Sequence, residues 1–142
     1  MKLTGLDVFD NTIERTTEWL QDLMQELNWT DRRKSFVALR FVLQGLRDHL
    51  TADRASRFGN QLPMLIRGAY YEEWVPAEKP VAWESLDGLA ASIATYLRRD
   101  DEWSGEAENI VRAVFRLLEK KATEGELQDH LLDFLPATRR AA

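Results

Sequence analysis

The chain lacks cysteine altogether and has only two histidines, His49 and His130. The first absence removes disulfides, thiolate metal sites and a thiol nucleophile, and suits a reducing, cytoplasmic setting. The second leaves little imidazole for metal ligation or for acid–base work near neutral pH. Missing too are a Gly-x-Ser-x-Gly nucleophile elbow, a phosphate-cradling glycine loop and a dinucleotide fingerprint. No run approaches the roughly 20 apolar residues that span a bilayer, and residues 1–10 carry no apolar signal core. Positive charge is short: 19 Lys and Arg stand against 24 Asp and Glu, a net −5. That balance argues against a nucleic acid or an anionic membrane as partner, since both want a basic field. The deficit is uneven, −1 over residues 1–74 and −4 over residues 75–142.

What is present reads as one all-α domain over residues 1–142. A chain of this length can bury roughly two thirds of its unfolded surface, enough for a core of its own. Apolar content of 44% and charged content of 30% are those of an ordinary globule. Leu6, Phe9, Ile13, Leu20, Leu23 and Leu27 recur at helical spacing and predict a first helix of about 20 residues. Asn28 to Asp31 breaks it, with Thr30 as the expected N-cap of the next helix. That helix carries Phe36, Leu39, Leu43, Leu46 and Leu50 on one face, widened by Phe41 and Val42, and is expected to be deeply buried. Thr51 opens a short helix closed by Gly59. Pro63 then suits a first turn, and Leu65 to Trp74 is expected to continue as an aromatic-rich helix. No stretch alternates with period two for long enough to suggest a sheet.

The chain also says much the same thing twice. Trp29-Thr30, Leu39-Arg40, Thr51 and Leu62-Pro63 are answered by Trp103-Ser104, Val111-Arg112, Thr123 and Leu135-Pro136, at offsets of 72 to 74 residues. A near-constant offset is what a copied supersecondary unit leaves behind. The expected units are about 6–74 and 84–136, joined by a linker at about 75–83 that holds Pro76 and Pro80. In the second unit Leu86, Leu89, Ile93, Tyr96 and Leu97 mark one helix, and Ile110, Val114, Leu117 and Leu118 the long buried one. Thr123-Glu-Gly-Glu126 has capping-box spacing and is expected to open a further short helix. Asp100-Asp-Glu102 reads as a solvated break.

Leu6-Asp-Val-Phe9, Trp19-Leu20, Ala38-Leu-Arg40, Leu46-Arg-Asp48 and above all Gln61-Leu-Pro-Met-Leu-Ile-Arg-Gly68 with Tyr70-Tyr71, Trp74 and Pro76 resemble bacterial proteins catalogued as domain of unknown function 2267. The resemblance runs from about Leu6 to Pro136, and its first half is the more specific. It implies a small helical bacterial protein and brings no catalytic residue, cofactor or substrate with it.

Candidate chemistry is therefore sought in the residues themselves. His49 falls in the last turn of the long helix, where an imidazole caps carbonyls and meets the dipole favourably. His130 shares a helical spacing with Glu126 and Asp133, a set that could present three ligands, but it lacks the Glu-x-x-His pattern of di-iron bundles. No metal, cofactor or catalytic residue is assigned. Arg32-Arg-Lys34 sits in a first helical turn, where the dipole disfavours cations, and is read as a contact or solubility feature. What remains is the segment of Gln61, Arg67, Tyr70, Tyr71 and Trp74, the candidate partner- or ligand-binding set, because Tyr, Trp and Arg dominate interface energetics. The competing reading packs the aromatics between the units and pairs Arg67 with Glu73 or with a free helix carbonyl. Two functions follow. One is a non-catalytic interaction or regulatory module that contacts a protein partner or a second copy of itself. The other is a small-molecule-binding protein, or an enzyme, with a pocket where the units meet. The dearth of chemical motifs favours the first.

Overall fold

A computed structural model describes residues 3–76, 82–99, 103 and 105–134. Among these residues there are six α-helices, one 3₁₀ helix and no strand: α1 (Asp7–Leu27), α2 (Arg32–Asp48), α3 (Ala52–Gly59), α4 (Met64–Tyr71), α5 (Leu86–Leu97), α6 (Ala107–Thr123) and the 3₁₀ turn Leu131–Phe134. The fold is all-α, and one apolar core draws on every helix.

Two of the helices that build this core carry the same apolar spacing. On α1, Trp19, Leu20, Leu23, Met24 and Leu27 are buried, and on α5, Leu89, Ala90, Ile93, Ala94 and Leu97. Each set is a stripe at i, i+1, i+4, i+5 and i+8, wide enough to press on two neighbours. α1 packs on α2 and α6, and α5 packs on α6 and α2. α2 and α6 meet between them, with Leu39, Val42, Leu43, Ile110, Val114 and Leu117 at or below 1% exposure. Each such side chain contributes roughly 1.5–3 kcal/mol by leaving water.

Several local expectations need correction. Asp31, not Thr30, caps α2, because its carboxylate accepts the Lys34 amide at 3.0 Å. A carboxylate at a helix start also meets the dipole favourably. Phe41 stands 40% exposed instead of widening the buried face of α2. The stripe of α1 outruns its cover as well, leaving Leu6 and Phe9 exposed at 53% and 44%. The aromatic helix ends at Tyr71. The chain turns there through Glu73 at φ 55°, and Trp74 lies beyond it. Thr123 ends α6 instead of opening a helix. Gly125 takes φ 85°, and the Glu126 and Gly125 amides donate back to the Lys121 and Ala122 carbonyls, a Schellman closure. The short helix expected there is replaced by the 3₁₀ turn. Trp83, placed by the sequence in the linker, is buried in the shared core at 7% exposure. Pro80, Asp100-Asp-Glu102, Ser104 and Leu135-Pro136 lie outside the described residues.

Candidate functional site

α4 carries most of the candidate residues, and it is clamped at both ends. At its start, the Leu65 amide donates to the Thr12 hydroxyl of α1 at 3.3 Å. At its end, α2 reaches across. Gln44 donates to the Ala69 carbonyl at 2.9 Å, and the Arg47 guanidinium donates to the Tyr70 and Glu72 carbonyls at 2.8 and 2.9 Å. An eight-residue helix is marginal by itself, so these side chains and its buried face hold it in place.

Arg67 takes up the carbonyls of the turn before α4. Its Nη2 donates to Leu62 at 2.9 Å and to Asn60 at 3.2 Å, and its Nε donates to Leu62 at 3.3 Å. Tyr70 is fully buried, and its hydroxyl donates to the Ala55 carbonyl at 2.8 Å. That burial, with the neighbouring Tyr71, pushes the phenol well above its ordinary range. The Tyr71 hydroxyl donates to the Ser56 carbonyl at 3.2 Å. Gly59 makes this docking possible: a Cβ there would stand 2.6 Å from Tyr70 Cε2 and would collide with the Tyr71 hydroxyl. Trp74 is half-buried against the core, its ring 5.5 Å from Tyr71. Gln61 faces the other way. Its amide donates to Asp129 at 2.7 Å, and its carbonyl oxygen accepts the Gln128 and Asp129 amides at 2.7 and 3.1 Å. Arg57 completes that tie with two bonds to Asp129 at 2.8 and 3.0 Å, and its hydrogen bonds hold the Asp129 carboxyl below the usual range against the opposing effect of burial. The structure thus brings Tyr70, Tyr71 and Trp74 together, sets Arg67 on the preceding turn, and turns Gln61 toward the C-terminal loop.

A second feature escaped the sequence. Phe41, Gln44, Gly45 and Asp48 of α2 face Ile93, Tyr96 and Leu97 of α5 and Trp103 across a half-open cleft of 280 Å³. α2 contributes positions i, i+3, i+4 and i+7, one helical face, and α5 contributes i, i+3 and i+4. Phe41 and Tyr96 flank the cleft at 40% and 50% exposure. The two helices run close because Gly45 has no side chain: a Cβ would meet Ile93 Cγ2 at 2.9 Å. The available signal was Gly45 in the middle of a helix, a residue that costs about 1 kcal/mol there and asks for a reason.

His49 braces this cleft from the end of α2. Its Nδ1–H donates to the Gly45 carbonyl at 2.6 Å, and its Nε2 forms a hydrogen bond with the Ser92 hydroxyl at 2.7 Å. Its ring meets Tyr96 edge-on at 6.4 Å. A hydroxyl on an oriented imidazole is the geometry of a nucleophile and its base. Ser92, however, sits inside α5, where backbone amides are spent on i−4 carbonyls and none is free to hold an oxyanion. The pair ties α2 to α5.

The remaining candidates have ordinary partners. His130 is exposed and bonds Glu119 at 2.7 Å, which raises its pKa by hydrogen bond and charge. Glu126 turns instead to Lys121 and Arg15. Among the described residues no three His, Cys, Asp or Glu side chains converge as a metal site. Lys34 lies 4.2 Å over the Trp29 ring, beside the stacked Trp103. No helix among the described residues is long and apolar enough to cross a membrane.

Over residues 16–141 the chain matches the family described as uncharacterized conserved protein, domain of unknown function 2267, and it belongs to that family. The search of curated proteins returned no match.

Proposed function

We propose that this member of the family is a non-catalytic interaction module, and that it contacts a protein partner through the apolar cleft between α2 and α5. The observation that carries the reading is the pair Phe41 and Tyr96, two large rings left in water on either side of a groove floored by Ile93 and Leu97. Exposed aromatics beside a concave apolar surface are the usual makings of an anchor pocket. Volume supports the same reading. At 280 Å³ the cleft falls just short of the roughly 300–1,000 Å³ typical of small-molecule sites. It suits one bulky side chain from a partner better than a whole ligand. Gln44 and Asp48 on the rim favour a partner with a donor or a basic group beside its apolar anchor.

The cluster on α4 supports this module from beneath. Arg67, Tyr70 and Tyr71 spend their donors on backbone carbonyls of the α3–α4 region, while Gln44 holds α4 and also lines the cleft. α4 thus stiffens the α2 wall against which a partner would press.

The test places a photo-crosslinking phenylalanine at position 41 in cells of the native host, with a control at the 82%-exposed Val75. A discrete protein adduct from position 41 is expected, absent at position 75 and lost on Tyr96→Glu. Absence of any specific adduct overturns the reading. A small molecule retained in native mass spectrometry and lost on Tyr96→Glu overturns it in favour of ligand binding.

A further inference from the structure

The apolar stripe of α1 runs on past the helices that cover it. Leu6, Phe9 and Ile13 continue the helical spacing back to the start of the helix, and Leu6 and Phe9 stand in water. A second element meets them there. The Leu65 amide donates to the Thr12 hydroxyl, which pins the first turn of α4 beside the first turns of α1. Val8 and Phe9 lie one helical turn before Thr12 on that same side, so they neighbour Met64 and Leu65. The Thr4 amide and hydroxyl donate to Asp10 at 2.9 and 2.8 Å and fold the segment ahead of α1 back onto it, which holds Leu3 at the same end. Leu3, Leu6, Val8, Phe9, Met64 and Leu65 are each between 43% and 66% exposed. The outer face of α4 then continues into Gly68, where no described atom lies within 4 Å of the place its Cβ would occupy. The one charged residue of α4, Arg67, is spent on the Leu62 and Asn60 carbonyls.

We infer that this apolar corner, where the first turns of α1 and α4 meet, is the contact face for a second copy of this chain. Area supports it first. At about half exposure each of the six side chains offers on the order of 100 Å², so together they leave roughly 500–600 Å² in water. That is the upper end of the largest apolar patch on ordinary monomers. Two such faces set together remove about 1,000 Å² or slightly more, the threshold of a specific interface and the size of a weak, reversible one. Charge supports it next. The chain carries a net −5, so two copies repel unless they meet where acids are absent. The exposed acids Asp7, Glu14 and Glu18 recur at i, i+7 and i+11, on a different face of α1 from Leu6, Phe9 and Ile13. An uncharged patch turned on its own copy by a two-fold places no like charges opposite each other, as a self-complementary contact requires. The platform is also rigid. Thr12, Gln44 and Arg47 already hold α4 at both ends, so docking against it orders little. The patch shares no residue with the α2–α5 cleft and stands apart from whatever that cleft binds.

The test is sedimentation velocity of the full chain over about 1–100 μM, a span that brackets the micromolar dissociation constant suited to so small an interface. A concentration-dependent dimer is expected. Phe9→Glu combined with Leu65→Glu should weaken it about a hundredfold, roughly tenfold for each charge placed in the contact. Gly68→Glu is the second variant. Its Cβ has room, and replacing a glycine inside a helix does not weaken the helix, so a dimer lost there reports the contact and not the fold. Thermal melts verify that each variant is folded. A chain that stays monomeric across the range overturns the inference, and so does a dimer that survives both variants. A dimer that dissociates only on Tyr96→Glu overturns it as well, because the cleft then holds the second copy. Binding of the monomer to vesicles of neutral phosphatidylcholine, lost on Leu65→Glu, overturns it in favour of a lipid surface.

Discussion

The two long seams of the molecule carry the same apolar stripe and close at their edges in opposite ways. Along α1 and α6 the edge is ionic. Lys121, only 3% exposed, donates to Asp22 at 2.7 Å and reaches Glu126 at 3.2 Å, while Arg116 holds Glu26 at 2.8 Å. Along α2 and α5 the edge is a histidine–serine tie, and beside it lies an apolar cleft where Gly45 meets Ile93. Burial alone thus brings four helices together without deciding which part of their surface stays open. Long charged side chains seal one seam with their stems and heads. At the other, a glycine and two exposed rings border a groove.

The largest expected effect breaks the ionic seam. Lys121→Ala should cost about 3 kcal/mol, the low end for breaking a buried pair, because Asp22 and Glu126 retain 20% and 25% exposure. Chemical denaturation measures it. The same seam should respond to pH. Burial alone would raise the Asp22 carboxyl, but the hydrogen bonds and charges of Lys121 and Lys120 outweigh it and hold its pKa below normal. A depressed carboxylate stabilises the fold above its unfolded pKa and loses that contribution as pH falls through the folded value. Burial likewise opposes the Lys121 charge, yet Asp22 and Glu126 raise its pKa on balance. Its contribution is therefore complete below the unfolded pKa and lost as pH rises through the folded one. Hydrogen exchange in α1 and α6 should loosen first below about pH 4 and again above about pH 10.5. A seam that softened no sooner than α2 and α5 would deny the ionic edge its role.

The next effect overpacks the other seam. Gly45→Leu should cost about 2–3 kcal/mol, since its first carbon already meets Ile93 at 2.9 Å and overpacking displaces α5. A stabilised variant would mean that the helices part freely and that the cleft is not built by that glycine. Smaller again, Arg67→Ala should cost about 1–2 kcal/mol by leaving the Leu62 and Asn60 carbonyls short of a donor. A thermal melt with no change would detach α4 from the stability of the seam it supports. The smallest effect sharpens the contrast. Phe41→Ala should change stability by no more than about 0.5 kcal/mol, as befits a ring 40% exposed. A larger loss would make Phe41 part of the core.

Much of this was legible along the chain because it depends on near neighbours. Helical period placed α1, α2, α5 and α6, and Thr51 reads at once as the cap it is, accepting the Arg54 amide. The misreadings lie where a local signal had two possible owners. Trp74 continued a helical spacing, but Glu73 takes a positive φ and ends it. Thr123 through Glu126 spelled a helix start, yet Gly125 claimed the same residues as a helix end. The residues of α4 were ambiguous along the chain for another reason, since Tyr and Arg serve interfaces and buried ties alike. Their partners in the fold, carbonyls some 15 residues away for the tyrosines and five to seven away for Arg67, are not visible from sequence spacing.

The all-α fold, the residues of the apolar stripes and the family are all legible along the chain, since periodicity and motif are properties of residues a few positions apart. The tertiary structure alone decided that Gln44 and Arg47 hold the end of α4, that Lys121 is buried among acids, and that a cleft opens at Gly45. Each of these depends on which helix faces which and at what distance. A hydrogen bond, an ion pair or a gap between helices exists only once residues distant in the chain are brought within a few ångströms.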